Sequence, residues 1–204
     1  MAVNSNTVGL EVVLRWFGVQ EGDEVIVPAY TYCATANVIV HCGAKPVMVD
    51  VNAEDFDVCL ENVRKAITKK TKVIMPVDLG GMPCAYDELF ELAKSEAVKS
   101  LFQPRTVEQE KLGRILILSD SAHSVGAEYK GRKAGCLADV SVFSFHAVKN
   151  LTTAEGGAIM LNLPESFDNE EVYCYLCTYT LHGQNKDALA KTKKGAWRYD
   201  VLVS

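Results

Sequence analysis

The stretch "GRILILSDSAHSVG", residues 113–126, decides the fold class. It opens with a nearly continuous apolar run and then turns into small polar residues, beginning at Ser119 and Asp120. An apolar run without alternation suits a strand buried on both faces, as in a parallel sheet covered by helices. The stretch therefore predicts a buried strand whose carboxyl end carries polar side chains.

Five further runs of this kind occur in the chain, and amphipathic stretches separate most of them. The other predicted strands are "DEVIVPA", "KPVMVDV", "TKVIMPVDL", "ADVSVFSF" and "GGAIMLN". The predicted helices cover residues 8–17, 31–41, 59–68 and 86–94. The order of strand, helix, strand predicts an α/β domain with a mostly parallel sheet flanked by helices on both faces. The polar, proline-containing segment 96–113 is expected to be a surface insertion.

Composition excludes several classes of function. The 204 residues are 49% hydrophobic, which is enough to bury one sizeable core. The balance of 21 Lys plus Arg against 26 Asp plus Glu gives a net charge of −5, without a basic block that would follow a phosphate backbone. We therefore expect no nucleic-acid partner. The chain shows no signal segment and no apolar run near the roughly 18–20 residues of a membrane span, so a soluble, cytoplasmic protein is predicted.

The seven cysteines are an odd number and widely scattered, which favours reduced thiols. Cys174 and Cys177 form a single CxxC, but no second CxxC or nearby histidine pair completes a zinc site. Two structural thiols on a helix are the simpler interpretation, with a redox or zinc motif as the alternative. No metal site is predicted.

The stretch "FSFHAVKNLTTAEGG", residues 143–157, places Lys149 directly after a predicted strand. A surface lysine is the ordinary interpretation. A lysine amine also condenses with aldehydes, and the common biological aldehyde held in this way is pyridoxal 5'-phosphate, PLP. A PLP site needs a carboxylate for the pyridinium nitrogen, hydroxyls and backbone N–H groups for the phosphate, and a flat side chain over the ring.

The sequence offers a candidate for each part, and each candidate also has an ordinary structural interpretation. Asp120 ends an apolar strand, where a cationic ring would offset its burial, but it also suits the cap of a turn. His123 is placed to reach the ring hydroxyl, or is simply a hydrogen-bonded histidine. Ser144 near a strand end suits a phosphate donor or a structural serine. The "NSNT" stretch supplies an N-cap that would bind phosphate only if the helix start faces the site.

Because ligands of such sheets lie beyond the carboxyl ends of the strands, the loops after these strands are expected to share one cleft. The motifs in those loops resemble one family in order and spacing: "GDEVIVPAYTYCATANVIVHCGAKPVMVDV", "SDSAHSVGAEYKGRKAG" and "VFSFHAVKNLTTAEGGAIM". They are similar to the DegT/DnrJ group of PLP-dependent sugar aminotransferases, which have the fold-type-I architecture of aspartate aminotransferase.

The resemblance implies roles residue by residue. It makes Lys149 the Schiff-base lysine and Asp120 the partner of the pyridine nitrogen. It gives the remaining contacts to His123 for the ring hydroxyl, Ser144, Asn6 and Thr7 for the phosphate, and Tyr32 for the ring face. Three positions depart from the family pattern: Asn6 stands where a small residue is usual, Ala154 stands at a family glycine, and "CTYT", residues 177–180, lacks the arginine usual before the His-Gly segment "LHGQ".

The resemblance implies transfer of an amino group from glutamate to a nucleotide-linked keto-sugar, by a homodimer. Residues 1–204 are expected to be the large PLP-binding domain without the family's N-terminal segment and C-terminal small domain. This chain alone is expected to bind PLP weakly and not to complete the reaction. Two alternatives stay open: a truncated, non-catalytic paralogue, and a PLP-dependent sugar dehydratase, although the dehydratases carry histidine where this chain has Lys149.

Overall fold

A computed structural model of the protein describes residues 1–183 and 201. The chain divides into two compact units, Met1–Ser166 and Phe167–Ser204. In the described residues, no helix is both long enough and apolar enough to cross a membrane. The first unit carries the sheet and every residue of the site predicted from the sequence.

Seven strands of the first unit form one sheet, and two more form a separate hairpin. The strands are β1 (Ala2–Val3), β2 (Glu24–Pro28), β3 (Lys45–Val49), β4 (Thr71–Ile74), β5 (Leu116–Asp120), β6 (Glu128–Tyr129), β7 (Arg132–Lys133), β8 (Val140–Ser144) and β9 (Gly157–Leu161). The large sheet has the order β1-β9-β8-β5-β4-β2-β3, and β6 pairs with β7. All six strands predicted from the sequence are confirmed.

The middle of the sheet is parallel, as predicted, and the edge beside β8 is not. Strands β3, β2, β4, β5 and β8 run parallel, whereas β9 is antiparallel to β8 and β1 is antiparallel to β9. Side chains in the parallel part, such as Ile26, Val73 and Leu116, are completely buried. This burial on both faces explains why the strands appear in the sequence as unbroken apolar runs.

Four helices cover the sheet at the predicted positions: α1 (Asn6–Trp16), α2 (Cys33–His41), α3 (Leu60–Ala66) and α4 (Tyr86–Lys94). The first unit has two further helices, α5 (Glu96–Lys99) and α6 (Val107–Leu112), and the second unit contains α7 (Asn169–Thr180). Helix α1 packs tightly on β8: a Cβ added to Gly9 would lie 2.5 Å from Cγ1 of Val142. This close approach brings the first turn of α1 to the carboxyl ends of the strands.

The segment 96–113 is only in part the surface insertion that the sequence predicted. It forms α5 and α6, and Gln109 within it is fully buried. The side-chain amide of Gln109 donates to the Phe17 carbonyl at 2.9 Å, and the Lys72 amine donates to the Gln103 carbonyl. These hydrogen bonds satisfy buried polar groups and attach the segment to the body of the domain, which its polar composition did not indicate.

The second unit contains α7, whose N-cap is Asp168. Cys174 and Cys177 lie on this helix as free thiols, as the sequence predicted. The described residues contain no cluster of His, Cys, Asp or Glu able to hold a metal ion. Residues 184–200 and 202–204, with most of the apolar end of the chain, lie outside the described residues.

Candidate active site

One cavity of about 460 Å³ opens at the carboxyl ends of the parallel strands. Its walls come from the start of α1 and from the segments after β2, β4, β5 and β8. All the site residues predicted from the sequence line it: Asn6, Thr7, Tyr32, Asp120, His123, Ser144 and Lys149. The expectation that these loops share one cleft is therefore confirmed, and the role of each residue stays a prediction.

Asp120 is the buried carboxylate of this cavity, with 4% of its surface exposed. Oδ1 accepts hydrogen bonds from Nδ2 of Asn6 at 3.1 Å and from the Ala122 backbone N–H at 3.3 Å. Oδ2 accepts from the Thr35 hydroxyl at 2.8 Å. The carboxylate is thus held by three neutral donors, and none of these hydrogen bonds comes from a charged group.

Burial raises the pKa of Asp120, and the hydrogen bonds from Thr35, Ala122 and Asn6 oppose that rise only in part. A buried carboxylate without a cationic hydrogen-bond partner is costly to ionise. A protonated ring nitrogen in the cavity would supply the missing positive charge. The donor set at Asp120 therefore fits a pyridinium-type cofactor.

His123 lies on the same loop and is exposed at the cavity wall. Its Nδ1 accepts a hydrogen bond from the Gly80 backbone N–H at 3.3 Å, so the proton of the neutral ring lies on Nε2, which is left as a donor. Burial and the positive charge of Lys149 lower the pKa of His123, while the charge of Asp120 opposes them. A neutral imidazole that donates from Nε2 suits a contact with a ring hydroxyl.

The start of α1 forms the anion-binding part of the cavity wall. Ser5 caps the helix by accepting from the Val8 N–H at 3.2 Å. The first turn of a helix leaves backbone N–H groups without intrahelical acceptors and has a positive dipole end, so Asn6 and Thr7 present donors suited to phosphate. Gly157 makes this placement possible, because a Cβ there would lie 2.8 Å from the Asn6 nitrogen.

The Asn6 side chain makes hydrogen bonds within the protein and is separate from the phosphate contact that is predicted for the turn of Asn6 and Thr7. Both N–H groups of its amide are used, one toward Asp120 and one toward the Val142 carbonyl at 2.7 Å. Only the backbone N–H of Asn6 remains for phosphate. Asn6 is buried because its side chain reaches over the end of the sheet to these two partners. The local sequence does not determine in which direction this side chain points.

Lys149 lies in a closed loop between β8 and β9. The backbone N–H of Phe145 donates to the Gly156 carbonyl at 2.8 Å, which joins the two ends of the loop, and the Lys149 N–H donates to the His146 carbonyl at 2.9 Å. The loop places Lys149 within electrostatic reach of His123. Ala154 in the same loop has φ of 67°, a left-handed conformation that costs an L residue free energy, so this departure from the family glycine carries a strain.

The two remaining predicted residues differ in exposure. Ser144, at the end of β8, is 5% exposed, and its hydroxyl accepts from the His146 N–H at 3.4 Å. Tyr32, just before α2, is 78% exposed at the cavity wall, where its ring is free to cover a flat ligand. Both positions are compatible with the contacts that the resemblance implies.

Sequence reasoning missed two buried groups around the cavity. Thr35 is fully buried and holds Asp120, although 85 residues separate them. Asp78 is 1% exposed and accepts from the hydroxyls of Tyr86 at 2.7 Å and Ser124 at 2.6 Å, which ties the start of α4 to the loop that carries His123. Asp78 carried the same signal as Asp120, an aspartate at the end of an apolar run. Thr35 carried none.

Several known proteins are similar to this chain in both sequence and fold. The profile of the DegT/DnrJ/EryC1/StrS aminotransferase family matches residues 1–102 and 107–196. An uncharacterized protein of Methanocaldococcus jannaschii is 37% identical over 203 residues, which are 99% of this chain and 47% of that protein. The dehydratase ColD, at 24% identity and a TM-score of 0.75, covers 92% of this chain and 44% of its own and shares the fold alone.

The protein Spr1654 of Streptococcus pneumoniae, assigned as a sugar aminotransferase, is similar over the whole of this chain. Its PMP form is 48% identical with a TM-score of 0.94, and its PLP form is 45% identical with a TM-score of 0.91. These matches cover 100% of this chain and 50% and 49% of Spr1654, so the chain spans about half the length of such relatives. The predicted family, fold and cofactor class are confirmed: the chain belongs to the DegT/DnrJ/EryC1/StrS aminotransferase family, whose members depend on PLP.

Proposed function

We propose that this protein is a PLP-dependent aminotransferase that moves the amino group of glutamate to a nucleotide-linked keto-sugar. The observation that carries the proposal is the cavity in which Lys149, a buried Asp120 with only neutral donors, and the start of α1 come together. The sugar-aminotransferase assignment of Spr1654 supports the reaction class. Glutamate, the nucleotide-linked sugar, a cytoplasmic location and a homodimer follow from the family resemblance.

In this proposal the chain's own groups divide the work. PLP, when bound, supplies an aldehyde carbon that amines attack and a ring that accepts electrons. Lys149 would hold the aldehyde through its amine, and the same amine, when free, would accept and return the proton at the substrate carbon. Asp120 keeps the ring nitrogen protonated, and the Nε2 proton of His123 is donated to the ring hydroxyl.

The remaining groups bind and orient. The Ser144 hydroxyl and the backbone N–H groups of Asn6 and Thr7 hold the phosphate. The Tyr32 ring covers one face of the cofactor ring. These residues would hold both ends of the cofactor in the cavity that Lys149 also lines.

Covalent labelling tests the assignment of Lys149. PLP is added to the purified 204-residue chain, the adduct is fixed with borohydride, and the labelled peptide is identified by mass spectrometry. We expect the label on Lys149 and its loss in Lys149→Arg, with Lys133→Arg as the control because Lys133 lies on the exposed strand β7. A label on another lysine in the wild-type chain would overturn the assignment.

The reaction itself is tested by following the conversion of bound PLP to its amine form with glutamate, and back with a panel of nucleotide-linked keto-hexoses. Asp120→Asn is expected to slow the glutamate step by orders of magnitude, because electron withdrawal by the ring is lost. A rate for Asp120→Asn within about twofold of wild type would show that the carboxylate only caps a turn. Sugar deoxygenation without amine transfer would favour the dehydratase alternative. PLP binding without either reaction, in a chain extended to the length of the family members, would favour the non-catalytic one.

A further inference from the structure

Both oxygens of the Asp120 carboxylate are fixed by side chains from elements distant in sequence. Asn6, on the first turn of α1, donates to Oδ1, and Thr35, on α2, donates to Oδ2. The Thr35 hydroxyl is further linked to the Thr31 hydroxyl at 2.8 Å. Since Thr35 gives its proton to the carboxylate, Thr31 must be the donor in that second bond. The orientation of the carboxylate plane is thereby determined from both sides.

Asn6 makes a second bond that fixes its own position. Its other amide N–H donates to the Val142 carbonyl on β8, which also accepts from the Ser121 backbone N–H at 3.0 Å. Val142 is the register partner of Asp120 in the parallel pair of β5 and β8. The Asn6 amide therefore bridges the two strand ends between which the carboxylate projects.

The same residue also begins α1, so it links the two polar parts of the cavity. Its backbone N–H lies in the anion-binding first turn, while its side chain holds the carboxylate. A small residue at this position, as in the resembling family, has no side chain that reaches Asp120. In this chain one side chain connects the first turn of α1 to the carboxylate.

We propose that Asn6 is a positioning residue, whose side-chain amide aims the Asp120 carboxylate at the ring nitrogen of the cofactor and favours its ionised form. This inference rests on the proposed function. The contrasting interpretation is a buried amide that only joins α1 to the sheet. The two differ in what happens to Asp120 when the amide is removed and the fold is kept.

The test uses two variants that remove the donor in different ways. Asn6→Ala leaves space, whereas Asn6→Leu keeps the branched shape and the number of side-chain heavy atoms but cannot donate a hydrogen bond. Asn162→Ala is the control, because the Asn162 amide also donates twice to backbone carbonyls, those of Cys136 and Ala138, outside the cavity. Using two variants keeps the test decisive if one of them does not fold.

The first readout needs no cofactor. Carbon-13 NMR of the Asp carboxyl carbons follows the titration of Asp120 in the cofactor-free chain. Loss of a donor to the charged form should raise the pKa of Asp120 in both Asn6 variants and leave it unchanged in Asn162→Ala. The charge of His123 acts on Asp120 in every variant alike, so the difference between variants reports the amide.

The second readout is the dissociation constant for PLP. Loss of one hydrogen bond to a charged group predicts about tenfold weaker binding in both Asn6 variants and no change in Asn162→Ala. Folded Asn6 variants with an unmoved Asp120 titration would overturn the inference and leave a structural amide. A wild-type chain that fails to bind PLP would refute the proposed function, while the NMR comparison would still decide whether Asn6 controls Asp120.

Discussion

Replacing Gly157 with alanine should displace the first turn of α1 and damage the fold and the site together. The added Cβ would lie 2.7 Å from the Ser5 carbonyl carbon, 2.8 Å from the Asn6 nitrogen and 2.8 Å from the Phe143 carbonyl oxygen. Ordinary contact begins near 3.4 Å, so the overlap is 0.6 to 0.7 Å at each atom. All three atoms are backbone, and no side chain can rotate to relieve the overlap.

Overpacking of this kind costs about 1–3 kcal/mol, and three fixed contacts place Gly157→Ala near the upper value. For a chain of this size, 3 kcal/mol corresponds to a Tm lowered by about 6–12 °C. The movement also takes the N–H groups of Asn6 and Thr7 away from the cavity. We therefore expect weaker binding of PLP as well as lower stability.

Urea unfolding and PLP titration measure the two effects. Gly135→Ala is the matched control, because the atoms nearest to a Cβ there belong to the side chains of Phe143 and Met160, at 3.2 to 3.4 Å, and side chains can move. The control is expected to stay within about 1 kcal/mol of wild type. If Gly157→Ala were equally stable and bound PLP normally, the position of α1 would not depend on this close approach, and the reasoning would be refuted.

Three further predictions concern single groups. Ala154→Gly should raise the free energy of unfolding by about 0.5 kcal/mol, because glycine adopts the φ of 67° without strain. Thermal unfolding measures this change, and a lower Tm than that of the wild type would contradict the prediction. In the folded chain, proton NMR should find the pKa of His123 below the ordinary 6.5, and Lys149→Met should raise that pKa. The folded state then binds fewer protons than the unfolded state. This histidine's contribution to stability is therefore present above about pH 6.5 and is lost as the pH falls from there through the lower pKa of the folded state. Asp139→Asn should lower the free energy of unfolding, measured in urea, by about 3–5 kcal/mol, because it leaves the buried guanidinium of Arg114 without its anion, which lies 2.7 Å away at Oδ1. A decrease under about 1 kcal/mol would show that the ion pair is dispensable.

The sheet and most of the residues that line the cavity could be predicted from the sequence alone. Strands buried on both faces must be apolar throughout, so β2, β4, β5 and β8 were visible as continuous runs, and their carboxyl ends had to meet at one edge. Asp120 and Ser144 are the last residues of β5 and β8, and Lys149 lies in the loop after β8, which is why they were predicted together and lie on one cavity. The family motifs occupy the same positions.

The pairing of the polar groups could not be predicted, because it depends on how distant elements pack together. The direction of β9 was hidden, since a buried run is apolar whether its neighbour is parallel or antiparallel. The partners of Asp120 lie 114 residues away at Asn6 and 85 residues away at Thr35, and no local pattern records which elements become neighbours. Hydrogen bonds depend on distances of about 3 Å, whereas a sequence pattern reports only which face of an element is buried. The aim of the carboxylate therefore came from the packing of α1 and α2 against the sheet.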